Sequence, residues 1–141
     1  MKIREVTSFD ADEFDAAGKL RNQLDPGSGQ LPEDLYRSIL NSGNTHLFIG
    51  ETGDGEIAGM ITIVTYDLVT GKKGWIEDVV VDENQRGKGY GKELMLFAMN
   101  YCRSKGIKKI DLTSRPSRTA ANRLYTELGF VRRETNVYRL G

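Results

Sequence analysis

The residues best equipped for chemistry lie in VVVDENQRGKGYGKELM, from Val79 to Met95. Gly87, Gly89 and Gly91 alternate with Lys88 and Tyr90. Arg86 precedes them, Lys92 follows, and a helical pattern begins at once. The first N–H groups of a helix lack intrahelical acceptors, and the dipole makes that end partly positive. An anion is their natural partner. Glycine removes the Cβ that would hold a ligand away from the backbone, and it permits positive φ. Arg86, Lys88 and Lys92 add formal charge. The pattern is that of a pyrophosphate cradle at a strand-to-helix turn. No Gly-Lys-Ser/Thr closes it, so it is not a P-loop, and the Gly-x-Gly-x-x-Gly order of a dinucleotide site is absent.

A cradle needs a strand to deliver it and a helix to receive the charge. WIEDVVVD, before the turn, reads as a strand apolar on both faces in its second half, which suits the centre of a sheet. After it, Tyr90, Leu94, Phe97, Ala98 and Tyr101 recur at helical spacing. Upstream, KIREVTS alternates as a strand. DADEFDAAGKLRNQL and PEDLYRSILNSG read as helices with acids crowding their first turns. HLFIGET and EIAGMITIVTYDLV flank Asp54-Gly55 as a hairpin. Downstream come a strand IKKIDLTS, a helix SRTAANRLYTEL closed by Gly129, and a last strand FVRRETNVYRL. The order is β-α-α-β-β-β-α-β-α-β, an α/β arrangement with parallel pieces around the glycine turn.

The chain has 141 residues, within the range of a single domain spanning 1–141. Twenty basic residues balance twenty acidic ones, which argues against nonspecific nucleic-acid binding. No segment approaches the roughly 20 apolar residues of a membrane span. One cysteine, Cys102, leaves no internal disulfide and no cysteine zinc site, in keeping with a reducing cytosol. The expectation is a cytoplasmic protein with no metal, nucleic-acid or membrane partner. His46, the only histidine, opens a strand away from the glycine turn. Trp75 stands two residues before Glu77 and either walls a pocket or simply packs.

QRGKGYG resembles the Arg/Gln-x-x-Gly-x-Gly/Ala signature of the GNAT superfamily of acetyl-coenzyme A-dependent N-acetyltransferases, with Arg86, Gly89 and Gly91 at the signature positions. ANRLYTELGF is similar to the superfamily's C-terminal helix, which ends in Leu-Tyr-x-x-x-Gly-Phe. One helix and one strand separate the two blocks, as the superfamily requires. The resemblance covers nearly the whole chain and is loosest over the two N-terminal helices. It implies a mixed central sheet of six to seven strands flanked by four helices, with acetyl-CoA as cosubstrate. It also implies transfer of the acetyl group to a primary amine by direct attack, and a homodimer, since dimers in the superfamily often form through the C-terminal strands.

Residue by residue, the resemblance assigns pyrophosphate binding to the backbone of Arg86, Gly87, Lys88, Gly89, Tyr90, Gly91 and Lys92. The strand Val79, Val80 and Val81 pairs with the pantetheine arm, and an N–H freed by a bulge there receives the thioester carbonyl. Tyr125 matches the tyrosine that protonates the departing thiolate in many members; a phenol keeps its proton at neutral pH. The amine must be neutral to attack, and Glu77 or Asp78 is placed to take its proton. Alternation along a strand sends these two carboxylates to opposite faces, and the parity of Glu77 with Val79 and Val81 favours it. Arg118 occupies a position where the superfamily often has asparagine, and either contacts the coenzyme's phosphates or is solvated. Asn122 is either a pantetheine ligand or an exposed helical asparagine. Thr113 stands where the ribosomal-protein acetyltransferases carry a glutamate base, so that chemistry is not supported. The acceptor pocket is expected between DPGSGQ, the two N-terminal helices and the C-terminal strand. A small amine, amino sugar or amino acid is the first expectation for the acceptor, and a peptide or protein amine the second. A coenzyme-binding sensor without turnover is a further alternative.

Overall fold

A computed structural model describes residues 1–141. Strand β1 (Lys2–Glu5) leads into helices α1 (Ala11–Leu24) and α2 (Glu33–Leu40). Strands β2 (Thr45–Glu51), β3 (Ile57–Leu68) and β4 (Gly71–Val81) follow as a meander. A 3-10 turn at Glu83–Gln85 precedes α3 (Tyr90–Ser104), β5 (Lys109–Asp111) and α4 (Thr119–Glu127). The sheet runs in chain order from β1 to β5. Its first three pairings are antiparallel and β4–β5 is parallel, so the sheet is mixed.

Local chemistry explains where the helices begin. Asp10 caps α1 by accepting the Glu13 N–H at 3.0 Å, and Asp12 and Glu13 sit in the first turn beside the positive dipole end. Pro32 precedes α2, where a missing N–H costs nothing. At the hairpin between β2 and β3 only Gly55 takes positive φ, so the Asp54-Gly55 turn is not the type I′ turn, which needs positive φ at both central residues.

The sheet buries both faces. Phe48, Ile61, Ile63 and Ile76 meet Leu94, Met95, Ala98 and Cys102 of α3, and Tyr125 of α4, on one side. Val6, Leu47, Ile49, Met60 and Val80 meet Ala17 and Leu20 of α1 and Tyr36 of α2 on the other. The buried stripe of α3 is Leu94, Met95, Ala98, Met99 and Cys102. Phe97 and Tyr101 lie at its margin, stacked edge-on against Phe48 at 4.8 and 5.0 Å. No helix is long and apolar enough to cross a membrane.

Five strands form, where six to seven were expected, and the missing one is FVRRETNVYRL. That segment alternates as a strand should, but it has no backbone partner within the chain. Val131, Val137, Tyr138 and Leu140 are 74–103% exposed. A strand exists only where its N–H and C=O groups are paired, and β5, three residues long, does not extend to meet it.

Candidate active site

Strands β4 and β5 pair only over Lys73–Trp75 and Lys109–Asp111. Beyond Trp75 they part, because the chain after Asp111 turns away toward α4. The edge of β4 from Ile76 to Val81 is therefore free on that side, and a cleft of about 450 Å3 opens between β4, the glycine turn and the start of α4. Val79 and Val81 wall it with their side chains. Arg86, Gly87, Gly89, Tyr90 and Gly91 form its rim, and Arg118, Leu124 and Tyr125 close it from α4.

Gly87 and Gly89 adopt φ of 80° and 81°, the left-handed region that side chains disfavour, and Gly89 stands at the N-cap of α3. This geometry keeps the chain from folding back on its own donors. None of the N–H groups from Arg86 to Lys92 meets a backbone acceptor; the first to do so is Glu93, bonded to Gly89 O at 3.1 Å. The result is a row of consecutive unpaired donors at the positive end of a fifteen-residue helix. Arg86 fixes the turn by donating from Nε to the Val81 carbonyl at 3.1 Å, and Lys88 Nζ donates to Gln85 Oε1 at 2.7 Å. Lys88 and Lys92 do not line the cleft; their charge reaches it only through space.

Tyr125 sits in the core, 8% exposed, with Phe130 edge-on at 6.2 Å, yet its ring borders the cleft. Burial pushes its phenol above the ordinary value, and the nearby positive charge of Arg118 partly opposes this. The phenol therefore holds its proton throughout the neutral range. Cys102 is fully buried on the inner face of α3, and burial raises its thiol too, so it presents no nucleophile.

The other residues singled out in the sequence divide. Val80 faces α1 and α2 rather than the cleft. Asn122 donates from Nδ2 to the Arg115 carbonyl at 3.0 Å, tying down the loop before α4. His46 pairs with Glu5 at 2.8 Å beside Tyr101, on another part of the sheet. Sequence reasoning missed Thr119, Ala120 and Ala121, which bring the first turn of α4 against the cleft. Three small residues opening a helix are the signal that marks them.

The carboxylates depart from simple alternation. Met60 pairs with Val80 and Thr62 with Glu77, so Asp78 and Val79 together oppose Ile61 alone. This is a bulge, and Asp78 at φ 52° is its turning point. Left-handed backbone costs a residue with a side chain roughly 1 kcal/mol. The extra residue inverts the parity of all that follows. Val79 and Val81 pack toward α3 with Ile76, whereas Glu77 points to the opposite face, so Glu77 does not share their side as expected. Nor do Glu77 and Asp78 take opposite faces. Asp78 Oδ2 accepts from Thr62 Oγ1 at 3.1 Å, and Thr62 is the direct cross-strand partner of Glu77. Both carboxylates serve the α1–α2 face, and both are exposed.

Fold and cleft together bring a splayed strand edge, a bare helix N-terminus and a buried phenol to one place. The family model described as "Acetyltransferase (GNAT) family" matches residues 14–130. The chain belongs to this family. Glucosamine 6-phosphate N-acetyltransferase of Arabidopsis thaliana is 40% identical over 82 residues, 55% of this chain and 55% of that protein, so the match spans about half the length of that relative. Glucosamine 6-phosphate N-acetyltransferase 1 of Oryza sativa subsp. japonica is 32% identical over 127 residues, 84% of this chain and 73% of that protein. The crystal structure of glucosamine-6-phosphate N-acetyltransferase from Arabidopsis thaliana superposes with a TM-score of 0.78 at 25% identity, covering 99% of this chain and 97% of that one.

Proposed function

We propose that this chain transfers the acetyl group of acetyl-CoA to the primary amine of a small acceptor, an amino sugar foremost, by direct attack in a ternary complex. The observation that carries this reading is the unpaired N–H row from Arg86 to Lys92, set across one cleft from Tyr125. The row suits a pyrophosphate, with Arg86 and Arg118 at the rim adding charge. The free edge of β4 offers backbone groups to the amide-bearing pantetheine arm, as an added strand would use them. The bulge at Asp78–Val79 leaves ladder positions unmatched next to where that arm ends, and an N–H around Val79–Val81 can receive the thioester oxygen as it gains charge. Glu77 or Asp78 takes one proton from the acceptor's ammonium. The freed nitrogen lone pair attacks the thioester carbon, the C–S bond breaks, Tyr125 gives its proton to the leaving thiolate, and the second proton lost by the nitrogen returns through solvent to the Tyr125 phenolate. The similarity to glucosamine 6-phosphate acetyltransferases supports an amino sugar as acceptor.

Product mass tests the acceptor class. Incubation with acetyl-CoA and a panel of glucosamine 6-phosphate, an aminoglycoside, free amino acids and a peptide with a free N-terminus should add one acetyl group to an amino sugar. Acetylation of the peptide alone would move the acceptor to protein amines.

The unpaired C-terminal segment supports a homodimer. Its exposed Val131, Val137, Tyr138 and Leu140 are an association surface rather than a solvated tail. Sedimentation at micromolar concentration should give about twice the 15.8 kDa of one chain. A monomeric mass at every concentration contradicts it.

A further inference from the structure

We propose that Thr62 is a positioning residue that makes Asp78, rather than Glu77, the carboxylate that meets the acceptor's ammonium. This rests on the acetyl-transfer reading above and assigns the base within it.

Two exceptional residues of the chain touch each other. Thr62 is the one polar side chain in the buried core, 6% exposed on a sheet face otherwise built of Val, Leu, Ile and Met. Asp78 is the one residue other than glycine with positive φ. The Thr62 hydroxyl donates to Asp78 Oδ2 at 3.1 Å. Packing alone would be served by valine at position 62, so the hydroxyl's use is the contact it makes. A carboxylate has two oxygens and about four acceptor positions, so one bond from Thr62 fixes the side chain and leaves Oδ1 free.

Glu77 is differently placed. Its Oε1 accepts the Trp75 indole N–H at 2.6 Å, along the same strand face. That bond draws the longer carboxylate back toward Trp75 and away from the bulge. Asp78 directly precedes Val79, which lines the cleft, and the bulge sets these two residues together opposite Ile61, whereas Glu77 lies before the bulge; neither carboxylate is itself part of the cleft lining. The bulge turns Asp78, and Thr62 holds it there.

Four variants separate this from a packing role: Thr62→Val, Thr62→Ser, Asp78→Asn and Glu77→Gln. Thr62→Val should lower kcat for the amine at least about tenfold, and Asp78→Asn about 100-fold, as loss of a positioned base does. Thr62→Ser, which keeps the donor, should stay within about threefold of the parent, and Glu77→Gln should lose less than Asp78→Asn. Acetyl-CoA affinity should be unchanged in all four. Equal losses in Thr62→Val and Thr62→Ser, or weaker acetyl-CoA binding accompanying the loss, would mark a packing residue and overturn the proposal. A larger loss in Glu77→Gln than in Asp78→Asn would overturn the choice of Asp78. The 13C carboxyl resonance of Asp78, read without substrates, gives an answer that does not depend on turnover. It should move in Thr62→Val and not in Thr62→Ser. An unmoved resonance in Thr62→Val overturns the positioning role. Absence of amine turnover in the parent protein would instead overturn the acetyl-transfer reading while leaving this resonance to decide the contact.

Discussion

Replacing Tyr125 by phenylalanine is expected to lower kcat about 100-fold while changing acetyl-CoA affinity less than about threefold, the pattern of a lost general acid. The substitution removes one oxygen and nothing else. The ring remains against Phe130 in the α3–α4 core, so stability should move by less than about 1 kcal/mol. Burial raises the phenol pKa. The protonated, donating form therefore persists through neutral pH and disappears only as pH rises past the folded-state value, above the ordinary phenol range. The parent enzyme should accordingly lose rate on the far alkaline side, and Tyr125→Phe should lack that limb. Steady-state rates between pH 6 and 11, with acetyl-CoA binding measured alongside, check both statements. A variant within about twofold of the parent removes Tyr125 from the mechanism.

Replacing Gly91 by alanine is expected to separate binding from folding. Gly91 lies in the first turn of α3 with no positive φ, and a methyl there would meet Leu124 Cδ2 at 3.8 Å and Val81 Cγ2 at 3.9 Å, ordinary contact distances. The free protein can accept it, and alanine is the better helix residue by up to about 1 kcal/mol. The melting temperature should hold or rise. Yet Leu124 and Val81 are walls of the cleft, so the methyl occupies the space above the bare N–H row. Acetyl-CoA affinity should fall at least about tenfold, since loss of close approach to charged phosphates forfeits charge-assisted hydrogen bonds. Gly89→Ala is the useful contrast. Its φ of 81° makes the change strained, so roughly 1 kcal/mol of stability should be lost together with binding. Calorimetric titration and thermal melts of both variants test the distinction. A Gly91→Ala protein that binds acetyl-CoA as the parent does would show that the cradle lies elsewhere.

Much of this arrangement was legible in the residues. The valine strand, the alternating glycines and the helical stripe from Leu94 each carry a local physical cause. So do the capped starts of α1 and α2. The misreadings share a different cause: they depend on partners that periodicity does not name. FVRRETNVYRL has the alternation of a strand, but alternation specifies a face, not a neighbour, and no neighbour exists within the chain. Glu77 and Asp78 sit on a strand whose count of residues looks regular. The bulge that inverts the parity is set by cross-strand pairing with Met60 and Thr62, on the preceding strand. Thr62 looked like any strand threonine because its importance comes from one cross-strand contact. Spacing leaves Asn122 open between a ligand contact and an exposed position, and its amide is bonded to the Arg115 carbonyl, which the loop brings close.

The central claim is that the cleft holds acetyl-CoA and passes its acetyl group to an amine. The most direct measurement is release of free coenzyme A thiol from acetyl-CoA by the purified chain, followed with and without glucosamine 6-phosphate. The account predicts thiol release that depends on the amine, saturates with it, and collapses in both Tyr125→Phe and Gly91→Ala, the first through kcat and the second through acetyl-CoA binding. Thiol release no faster than the protein-free control across the whole amine panel would contradict it.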